Sequence, residues 1–281
     1  MSQLSDRKIC SGSRPFISDP LTAIKKTLFS GCGQSMLLRG ADLMRKDIHN
    51  SNIPVRCISC DVRHKGVCGA LSAEELLALS AHTRLINHQA GDELAGEKMP
   101  AEFYATVIRG VVKLTKTLED GRQQIVGLQF APDLLGRLNA DENAVSVEAA
   151  SDVNLCRIPK AALERMVKSN PALAERLMEQ TLRELDEARD WMVTLGRKTA
   201  AEKVASFLFL IATHLDPEVV GEKRQFDLPL SRADIADFLG LTVETVSRQM
   251  SKLRNDGVIS TVGNRQIEVL KLSKLKACCG S

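Results

Sequence analysis

The chain has 281 residues, of which 44% are apolar and only 4% aromatic, and its formal net charge is +3. This length accommodates two domains of ordinary size with aliphatic cores. No stretch of about 18 apolar residues occurs, which argues against a membrane-spanning helix, and the charged N-terminus does not resemble a secretory signal, so we expect a cytoplasmic protein.

The first 54 residues are rich in Ser, Gly and mixed charge, and they predict no committed fold. They include Cys10 and Cys32, to which the sequence assigns no role. We expect ordered structure to begin near Val55, and residues 55–168 to form a cysteine-cluster segment followed by a β-rich sensor domain.

Three of the eight cysteines, Cys57, Cys60 and Cys68, form a C-x2-C-x7-C run. Because disulfides are rare in a reducing cytosol, such a run is more often metal-binding or redox-active. Four thiolates suit tetrahedral zinc or an iron–sulfur cluster, and the best candidate for the fourth is Cys156, on a strand-like run. The alternative for Cys156 is a buried core cysteine. His64, inside the ligand loop, is better explained as a solvated residue than as a ligand.

The next segment changes from a helical to a strand-like pattern. Ser72 and Glu75 form a capping box that predicts a helix to about Ala81. From residue 85 to 158, short strand-like runs alternate with glycines, and Asp120-Gly121 predicts a hairpin turn. Many short strands with regular turns indicate a β-barrel, roll or sandwich.

Residues 169–198 read as one long helix, since no Gly or Pro interrupts the pattern between Pro171 and Gly196. Six residues recur at steps of three and four, as in a coiled-coil seam: Met178, Thr181, Leu185, Ala188, Met192 and Leu195. We therefore predict a dimerisation helix and a homodimer. The alternative is a helix packed on its own domain.

Residues 199–272 have the layout of a winged helix-turn-helix. Ser231 caps a first helix, Gly240 supplies the turn, and Thr242 caps a second helix that runs to Leu253. A hairpin around Gly263-Asn264 then forms the wing. All of the net positive charge lies in residues 197–276, which favours a nucleic-acid partner. Residues 273–281 are predicted to be a tail.

In this layout, the second helix enters the major groove of double-stranded DNA with its N-terminal residues at the base edges. The exposed positions there are Thr242, Glu244, Thr245, Ser247 and Arg248. Arg suits guanine and Glu accepts from cytosine, whereas Lys252 is better placed for phosphate, which positions the protein without reading sequence. Four residues of the helix are predicted to face the core: Val243, Val246, Met250 and Leu253.

The segment 239–248, LGLTVETVSR, has an E-x-x-S-R core at Glu244, Ser247 and Arg248. It resembles the recognition helix of the FNR branch of the CRP/FNR superfamily of bacterial transcription regulators. The resemblance covers residues 55–272, and the cysteine spacing is similar to that of alphaproteobacterial FnrL/FnrN-type members. It implies an α+β fold: an N-terminal β-roll sensor domain of the cyclic-nucleotide-binding type, a long dimerisation helix and a C-terminal winged helix-turn-helix. It also implies a palindromic operator like TTGAT-N4-ATCAA.

The roll domain of this superfamily often holds a cyclic nucleotide, through a G-E-[LI]-A turn and a following Arg-Ser/Thr pair. Here residues 134–141 carry Arg137 in place of the Glu, and no Arg-Ser/Thr pair follows in residues 145–148. We therefore expect no cyclic nucleotide. The resemblance implies instead a [4Fe–4S] cluster on Cys57, Cys60, Cys68 and Cys156.

These features predict an oxygen-responsive regulator in which the cluster controls dimerisation and DNA binding. The resemblance implies that it activates anaerobic or microaerobic genes. The resemblance also implies contact with RNA polymerase, for which the hairpin loop at residues 118–122 is the candidate. The alternative is a regulator of the same fold with a structural zinc or a thiol-redox sensor. We do not expect an enzyme, since no GxGxxG, P-loop, HExxH or Ser/His/Asp set stands out.

Overall fold

The computed structural model describes residues 53–263 and 265–280. Residues 1–52 of the predicted N-terminal extension, with Cys10 and Cys32, lie outside the described residues, as does Asn264 of the predicted wing turn. Within the described ranges, no helix is both long enough and apolar enough to cross a membrane.

The sensor part is a roll of two four-stranded antiparallel sheets, ordered β1-β8-β3-β6 and β2-β7-β4-β5. Its inner faces meet in an aliphatic core that includes Val107, Val112 and Leu155. The predicted turn at Asp120-Gly121 joins β4 to β5, with Gly121 at a φ of +84° that L-residues rarely adopt. The strands are β1 Arg84–His88, β2 Glu93–Ala95, β3 Phe103–Arg109, β4 Val112–Thr117, β5 Gln123–Gln129, β6 Leu134–Leu135, β7 Ser146–Ala149 and β8 Val153–Pro159.

Short helical elements precede the roll: α1 Val55–Ile58, a 3-10 turn Val67–Ala70 and α2 Ala73–Ser80. The predicted capping box is present on α2, where Ser72 accepts from the Glu75 N–H and Glu75 accepts from the Ser72 N–H. After the roll come α3 Lys160–Ser169 and the long helix α4 Pro171–Arg197. Asn170 caps α4 by accepting from the Leu173 N–H, and Pro171 fits the first helical position because its missing N–H has no helical partner there.

The C-terminal part confirms the winged helix-turn-helix. Gly240 ends the first reader helix in the left-handed conformation with a φ of +60°, and β9, β10 and β11 form the wing sheet. The elements are α5 Ala200–His214, β9 Arg224–Asp227, α6 Arg232–Leu239, α7 Val243–Asn255, β10 Ile259–Val262, β11 Gln266–Val269 and α8 Leu272–Ala277.

The prediction of a tail over residues 273–281 is wrong. Most of α8 lies in this range, and its Leu275 is fully buried in the reader core. The segment is too short for a helical period to stand out in the sequence, so its fold depends on packing against the reader core rather than on local pattern.

The roll and the DNA reader share one core. Val111, Ile125, Leu128 and Phe130 of the roll belong to the same buried cluster as the reader's α5, α6 and α7. At its edge, Lys113 Nζ on β4 lies 2.8 Å from both Glu148 on β7 and Asp234 on α6. The reader is therefore docked on the roll of the same chain rather than tethered to it.

Candidate cofactor site and nucleic-acid interface

The structure brings the four predicted ligand cysteines to one cavity of about 170 Å³. Cys57 lies on α1, Cys60 follows α1, and Cys68 lies in the 3-10 turn. Cys156 reaches the same cavity from β8, about ninety positions further along the chain. A remote thiol is thus joined to the C-x2-C-x7-C run by the fold.

Strand pairing fixes the position of Cys156. In the first sheet, Cys156 stands opposite Leu85 of β1 and Thr106 of β3. Directly paired residues project from the same face of an antiparallel sheet, so these three form a row across the sheet. All three line the cavity, and α1 with its following loop closes over the row.

Two of the four thiols, those of Cys68 and Cys156, are buried deeply enough to resist ionisation. Burial raises the pKa of the Cys68 thiol to about 12, and the nearby Cys156, Cys57 and Cys60 add to the rise. Burial likewise raises the pKa of Cys156 to about 11, against the opposing effect of a hydrogen bond from Thr83. A metal group binding here must therefore displace protons from the thiols, which couples its binding to pH and to folding.

Positive charge and unused hydrogen-bond donors surround the same cavity. The two terminal nitrogens of Arg56 donate to the Thr83 carbonyl (3.1 Å) and the Thr83 hydroxyl (2.9 Å). Three buried polar atoms on the cavity lining have no partner among the described residues: Arg56 Nε, Arg63 Nε and Thr106 Oγ1. Four thiols with cationic donors around one cavity suit an anionic sulfur-rich group.

Among residues 53–263 and 265–280, no three His, Cys, Asp or Glu side chains are arranged to hold a metal ion. The thiols instead line a cavity larger than one ion. A cavity of this volume has room for a group of several atoms, as an iron–sulfur cluster is.

Helix α4 carries an exposed apolar face beyond its first turns. Leu173 and Leu177 are buried against the roll, but Met178, Leu185 and Met192 of the predicted seam are 66%, 44% and 72% exposed. Thr181 and Ala188 are exposed as well, and Leu195 is half-buried. A face of large apolar side chains on a charged helix is typical of a protein–protein contact.

Two members of this face, Leu182 and Val193, were not predicted from the sequence; they are 54% and 58% exposed. Each stands next to a seam position, so a strict alternation of three and four steps passes over them. A wider stripe, as globular helices present, would have included both.

Helix α7 presents the predicted base-reading residues at its start. Thr242 caps the helix by accepting from the Thr245 N–H at 3.2 Å. Glu244, Ser247, Arg248 and Lys252 are exposed, and Thr245 is half-buried. This face is free to approach a DNA groove.

The core side of α7 follows the prediction at three of four positions. Val246, Met250 and Leu253 are buried, but Val243 is 41% exposed, so its assignment to the core is wrong. Val243 is the first residue of α7, whereas the buried positions lie further along the helix. It adds an apolar group beside Glu244, of the kind that can contact a thymine methyl.

The roll also encloses a cavity of about 240 Å³, lined mainly by apolar side chains and by residues 134–137 and 144–145. This is the stretch in which the phosphate-binding residues of a cyclic-nucleotide site are replaced. The absence of a cyclic nucleotide stays a prediction.

The fold and the exposed recognition helix define a DNA-binding transcription regulator, and comparison with known proteins agrees. Residues 202–278 match the family model of the Crp-like helix-turn-helix domain, and residues 85–170 match that of the cyclic nucleotide-binding domain. The chain is 50% identical over 235 residues to a probable transcriptional activator of Rhizobium leguminosarum bv. viciae, covering 84% of this chain and 98% of that protein.

Two further relatives indicate to which group of transcription regulators the chain belongs. The transcriptional activator protein FnrL of Cereibacter sphaeroides is 43% identical, with 78% of this chain and 90% of that protein covered. The structure of FixK2 from Bradyrhizobium japonicum superposes with a TM-score of 0.64 at 34% identity, covering 71% of this chain and 98% of that one. The chain belongs to the FNR/FixK group of Crp-type transcriptional activators.

Proposed function

We propose that this activator responds to oxygen through a [4Fe–4S] cluster bound by Cys57, Cys60, Cys68 and Cys156. The observation that carries the proposal is the meeting of these four partly buried thiols, three from the N-terminal segment and one from β8, around a single cavity. When bound, the cluster supplies the oxygen-labile chemistry. The residues of the chain hold it, exclude solvent and transmit its presence.

The ligand loop packs directly on the dimerisation helix. Val67, next to Cys68, is buried in one cluster with Leu173 and Leu177 of α4, and Arg176 Nη2 donates to the Lys65 carbonyl at 2.7 Å. Ligation would fix the loop in this position, because a site of four thiolates folds with its metal group. Loss of the group would remove support from the N-terminal half of α4.

The far end of α4 contacts the DNA reader. The rings of Trp191 on α4 and Phe238 on α6 have centroids 4.5 Å apart. A change in the position or pairing of α4 is therefore felt at the helix that precedes the recognition helix.

Dimerisation through the exposed face of α4 would bring two recognition helices to one operator. With Glu244, Ser247 and Arg248 at the start of each helix, the protein would read a palindrome like TTGAT-N4-ATCAA, one half-site per subunit. A monomer would contact only one half-site of the operator. A modest change in the association of the two subunits therefore becomes a large change in operator affinity.

Activation requires contact with RNA polymerase. The tip of the β4–β5 hairpin, at residues 118–122, is a candidate for that contact because Leu118 is 54% exposed there. Exposed apolar residues at a loop tip provide an anchor for a protein partner.

A regulator of the same fold with a structural zinc remains the second candidate, favoured by the four thiols alone. A cavity larger than one ion and its cationic lining support the cluster instead.

The test is anaerobic purification followed by visible absorption and by iron and sulfide assay, on the wild type, on Cys156→Ala and on Cys279→Ala. Cys279 is a half-buried cysteine near the C-terminus, outside the cavity, and serves as the matched control. We expect about four irons per chain, bleaching in air, in the wild type and the control. Cys156→Ala should not assemble the cluster.

The same samples report on regulation. Binding to the palindrome, measured by anisotropy, should fall when the wild type is exposed to air and should be weak in Cys156→Ala throughout. A wild type that stays colourless after anaerobic reconstitution with iron and sulfide would contradict the proposal. Stoichiometric zinc with oxygen-independent binding would establish the second candidate.

A further inference from the structure

The lining of the cysteine cavity contains more hydrogen-bonding capacity than the protein uses. Of the six buried side-chain polar atoms without a partner among the described residues, three line this one cavity: Arg56 Nε, Arg63 Nε and Thr106 Oγ1. Buried polar groups in native proteins nearly always have partners, so a concentration of unsatisfied donors indicates a missing acceptor.

We infer that Arg56, Arg63 and Thr106 donate hydrogen bonds to the sulfur atoms of the bound cluster and thereby set its reduction potential. The inference rests on the proposed function, since the acceptor is the cluster itself. It assigns these three residues a role in positioning and tuning, separate from the ligand role of the cysteines.

Thr106 is placed by the sheet. It stands directly opposite Cys156 on the neighbouring strand, so its side chain leaves the same face of the sheet. The residue is only 5% exposed, and its hydroxyl has no partner among the described residues. Burying a hydroxyl at such a position costs free energy of folding unless it donates to an acceptor. A sulfur ligated through Cys156 would be that acceptor.

Arg56 is held in one orientation by its neighbours. Both of its terminal nitrogens donate to Thr83, and its Nε is buried without a partner among the described residues. A guanidinium fixed at two nitrogens is preorganised, so it loses little freedom when the third bonds to an acceptor.

Arg63, in the loop between Cys60 and Cys68, likewise has a terminal nitrogen in contact with a neighbour and an Nε without a partner among the described residues. Its Nη2 lies 2.6 Å from His64 Nε2, while its Nε is buried on the cavity lining without a partner. Two guanidinium groups thus line the cavity, one just before Cys57 and one between Cys60 and Cys68. Their positive charge would offset the negative charge of a thiolate-ligated cluster.

Hydrogen bonds to sulfur favour the reduced cluster, because reduction adds negative charge to the acceptors. Removing one donor should therefore lower the reduction potential. A hydrogen bond to a charged group changes an equilibrium by roughly tenfold, which for a one-electron couple corresponds to about 59 mV.

The experiment uses full-length protein reconstituted anaerobically with iron and sulfide. Variants Thr106→Val and Arg63→Lys each remove one donor while keeping shape or charge. Thr115→Val, a buried threonine of β4, and Arg109→Lys, an exposed arginine of β3, are the matched controls outside the cavity. The midpoint potential is measured by a reductive titration with mediator dyes, followed by visible circular dichroism and electron paramagnetic resonance.

We expect the potential to fall in both test variants and to stay at the wild-type value in both controls. A second readout separates tuning from folding. The melting temperature of metal-free Thr106→Val should not fall below that of the metal-free wild type, because the substitution removes a hydroxyl that is unpaired until the cluster binds.

Unchanged potentials in iron-loaded Thr106→Val and Arg63→Lys would overturn this inference while leaving the cluster in place. A metal-free Thr106→Val that melts well below the metal-free wild type would also overturn it, since the hydroxyl would then have a structural partner. A wild type that takes up no iron and sulfide would overturn the proposed function, and the inference with it.

Discussion

Asp133 is a carboxylic acid outside the cysteine site whose environment opposes ionisation. It follows β5, and its carboxylate accepts from the Phe130 N–H at 2.9 Å. Burial raises the pKa of Asp133 to about 6 despite that hydrogen bond, and Glu187 and Glu184 of α4 raise it further while His214 opposes them. Ionisation of Asp133, at the place where the roll, α4 and α5 meet, therefore costs electrostatic free energy in the folded protein.

Substituting Asp133→Asn should stabilise the protein at neutral pH. The folded-state pKa lies above the unfolded value of about 3.8, so ionisation favours the unfolded chain and the cost is complete above about pH 6. Asn keeps an acceptor for Phe130 and loses the charge, with a gain of roughly 1–3 kcal/mol at pH 7.5. Urea unfolding of metal-free protein from pH 7.5 down to 5 is the measurement.

The gain should shrink as the pH falls toward 5, because the wild-type carboxyl then becomes protonated in the folded state. A gain that is independent of pH would mean that packing, not charge, separates the two proteins. Loss of stability at pH 7.5 would show that the carboxylate is stabilised by contacts that an amide cannot make.

At the residue level, the sequence predicted which four cysteines would come together, but not the side chains that surround them. The spacing of Cys57, Cys60 and Cys68 is a local pattern, and a strand-like run with one cysteine suggested Cys156. By contrast, the donors on Arg56, Arg63 and Thr106 have no sequence signature. Their significance depends on which atoms remain unpartnered after the segment has packed on the sheet.

Among the secondary-structure elements, α4 combines residues that pack on its own subunit with a face of exposed apolar side chains. Its N-terminal half buries Leu173 and Leu177 on the roll, whereas Met178, Leu182 and Leu185 are exposed. An isolated helix with such a face is stabilised by a partner rather than by its own propensity. The apolar side chains thus favour a second copy of the chain.

Leu185→Asp should weaken the dimer without unfolding the subunit. The side chain is already 44% exposed in the single chain, but it would lose its contacts across the seam and place a charge there in each subunit. Burial of a leucine contributes about 1.5–3 kcal/mol, so we expect the dissociation constant to rise at least about tenfold. Sedimentation equilibrium measures the change, with Val220→Asp, at a 95% exposed loop position, as the control.

If Leu185→Asp associates as the wild type does, the exposed face of α4 is not the dimer contact. If the variant loses helical circular dichroism as well, the subunit fold depends on Leu185 more than its exposure indicates.

Two substitutions on the exposed face of α7 should distinguish sequence-specific base contacts from electrostatic attraction to DNA. Arg248→Ala is expected to reduce the preference for the palindrome over a site with one altered base pair per half-site by about 1–3 kcal/mol per half-site. Lys252→Ala should weaken binding to both DNAs equally and reduce the slope of log affinity against log salt by about 1 per subunit. Anisotropy titrations at several salt concentrations distinguish the two.

If Arg248→Ala keeps the wild-type preference for the palindrome, Arg248 does not read a base. A change of preference in Lys252→Ala would mean that Lys252 does.

Short elements were the hardest to predict. The capped helices α2, α6 and α7 carry their boundaries in their own sequences, because Ser72, Ser231 and Thr242 each satisfy backbone donors that the first turn leaves free. Helix α8 has no side-chain cap, and it is held by burial of Leu275 in a core that the sequence does not reveal. Local signals therefore predicted the reader helices and failed at its last element.

For the whole molecule, the main finding that the sequence did not predict is the docking of the reader on the roll. Residues 55–168 and 199–272 were predicted as separate parts joined by a helix. Phe130 of the roll and Phe207 of α5 instead belong to one buried cluster. Such long-range packing leaves no periodic signal, since each residue only appears apolar in its own strand or helix.

Lys113 is the polar link across this junction, with its side chain only 14% exposed between Glu148 and Asp234. Burial tends to raise the pKa of Asp234, but the hydrogen bonds from Lys113 and Ser231 hold it below its ordinary value. The link thus contributes stability above the unfolded pKa of about 3.8, and this is lost as the pH falls through the folded value. At neutral pH it is fully formed.

Lys113→Met should loosen the reader on the roll while leaving the cysteine cavity intact, because Lys113 does not line it. The substitution leaves Glu148 and Asp234 facing each other without a cation, at a cost of roughly 1–3 kcal/mol. Hydrogen exchange should accelerate in α6 and β5, and iron uptake should match the wild type. Lys116→Met, on the same strand but paired with Glu97 of the roll, is the control that should leave α6 unchanged. Unaltered exchange in α6 of Lys113→Met would mean that the shared apolar core alone holds the reader in place.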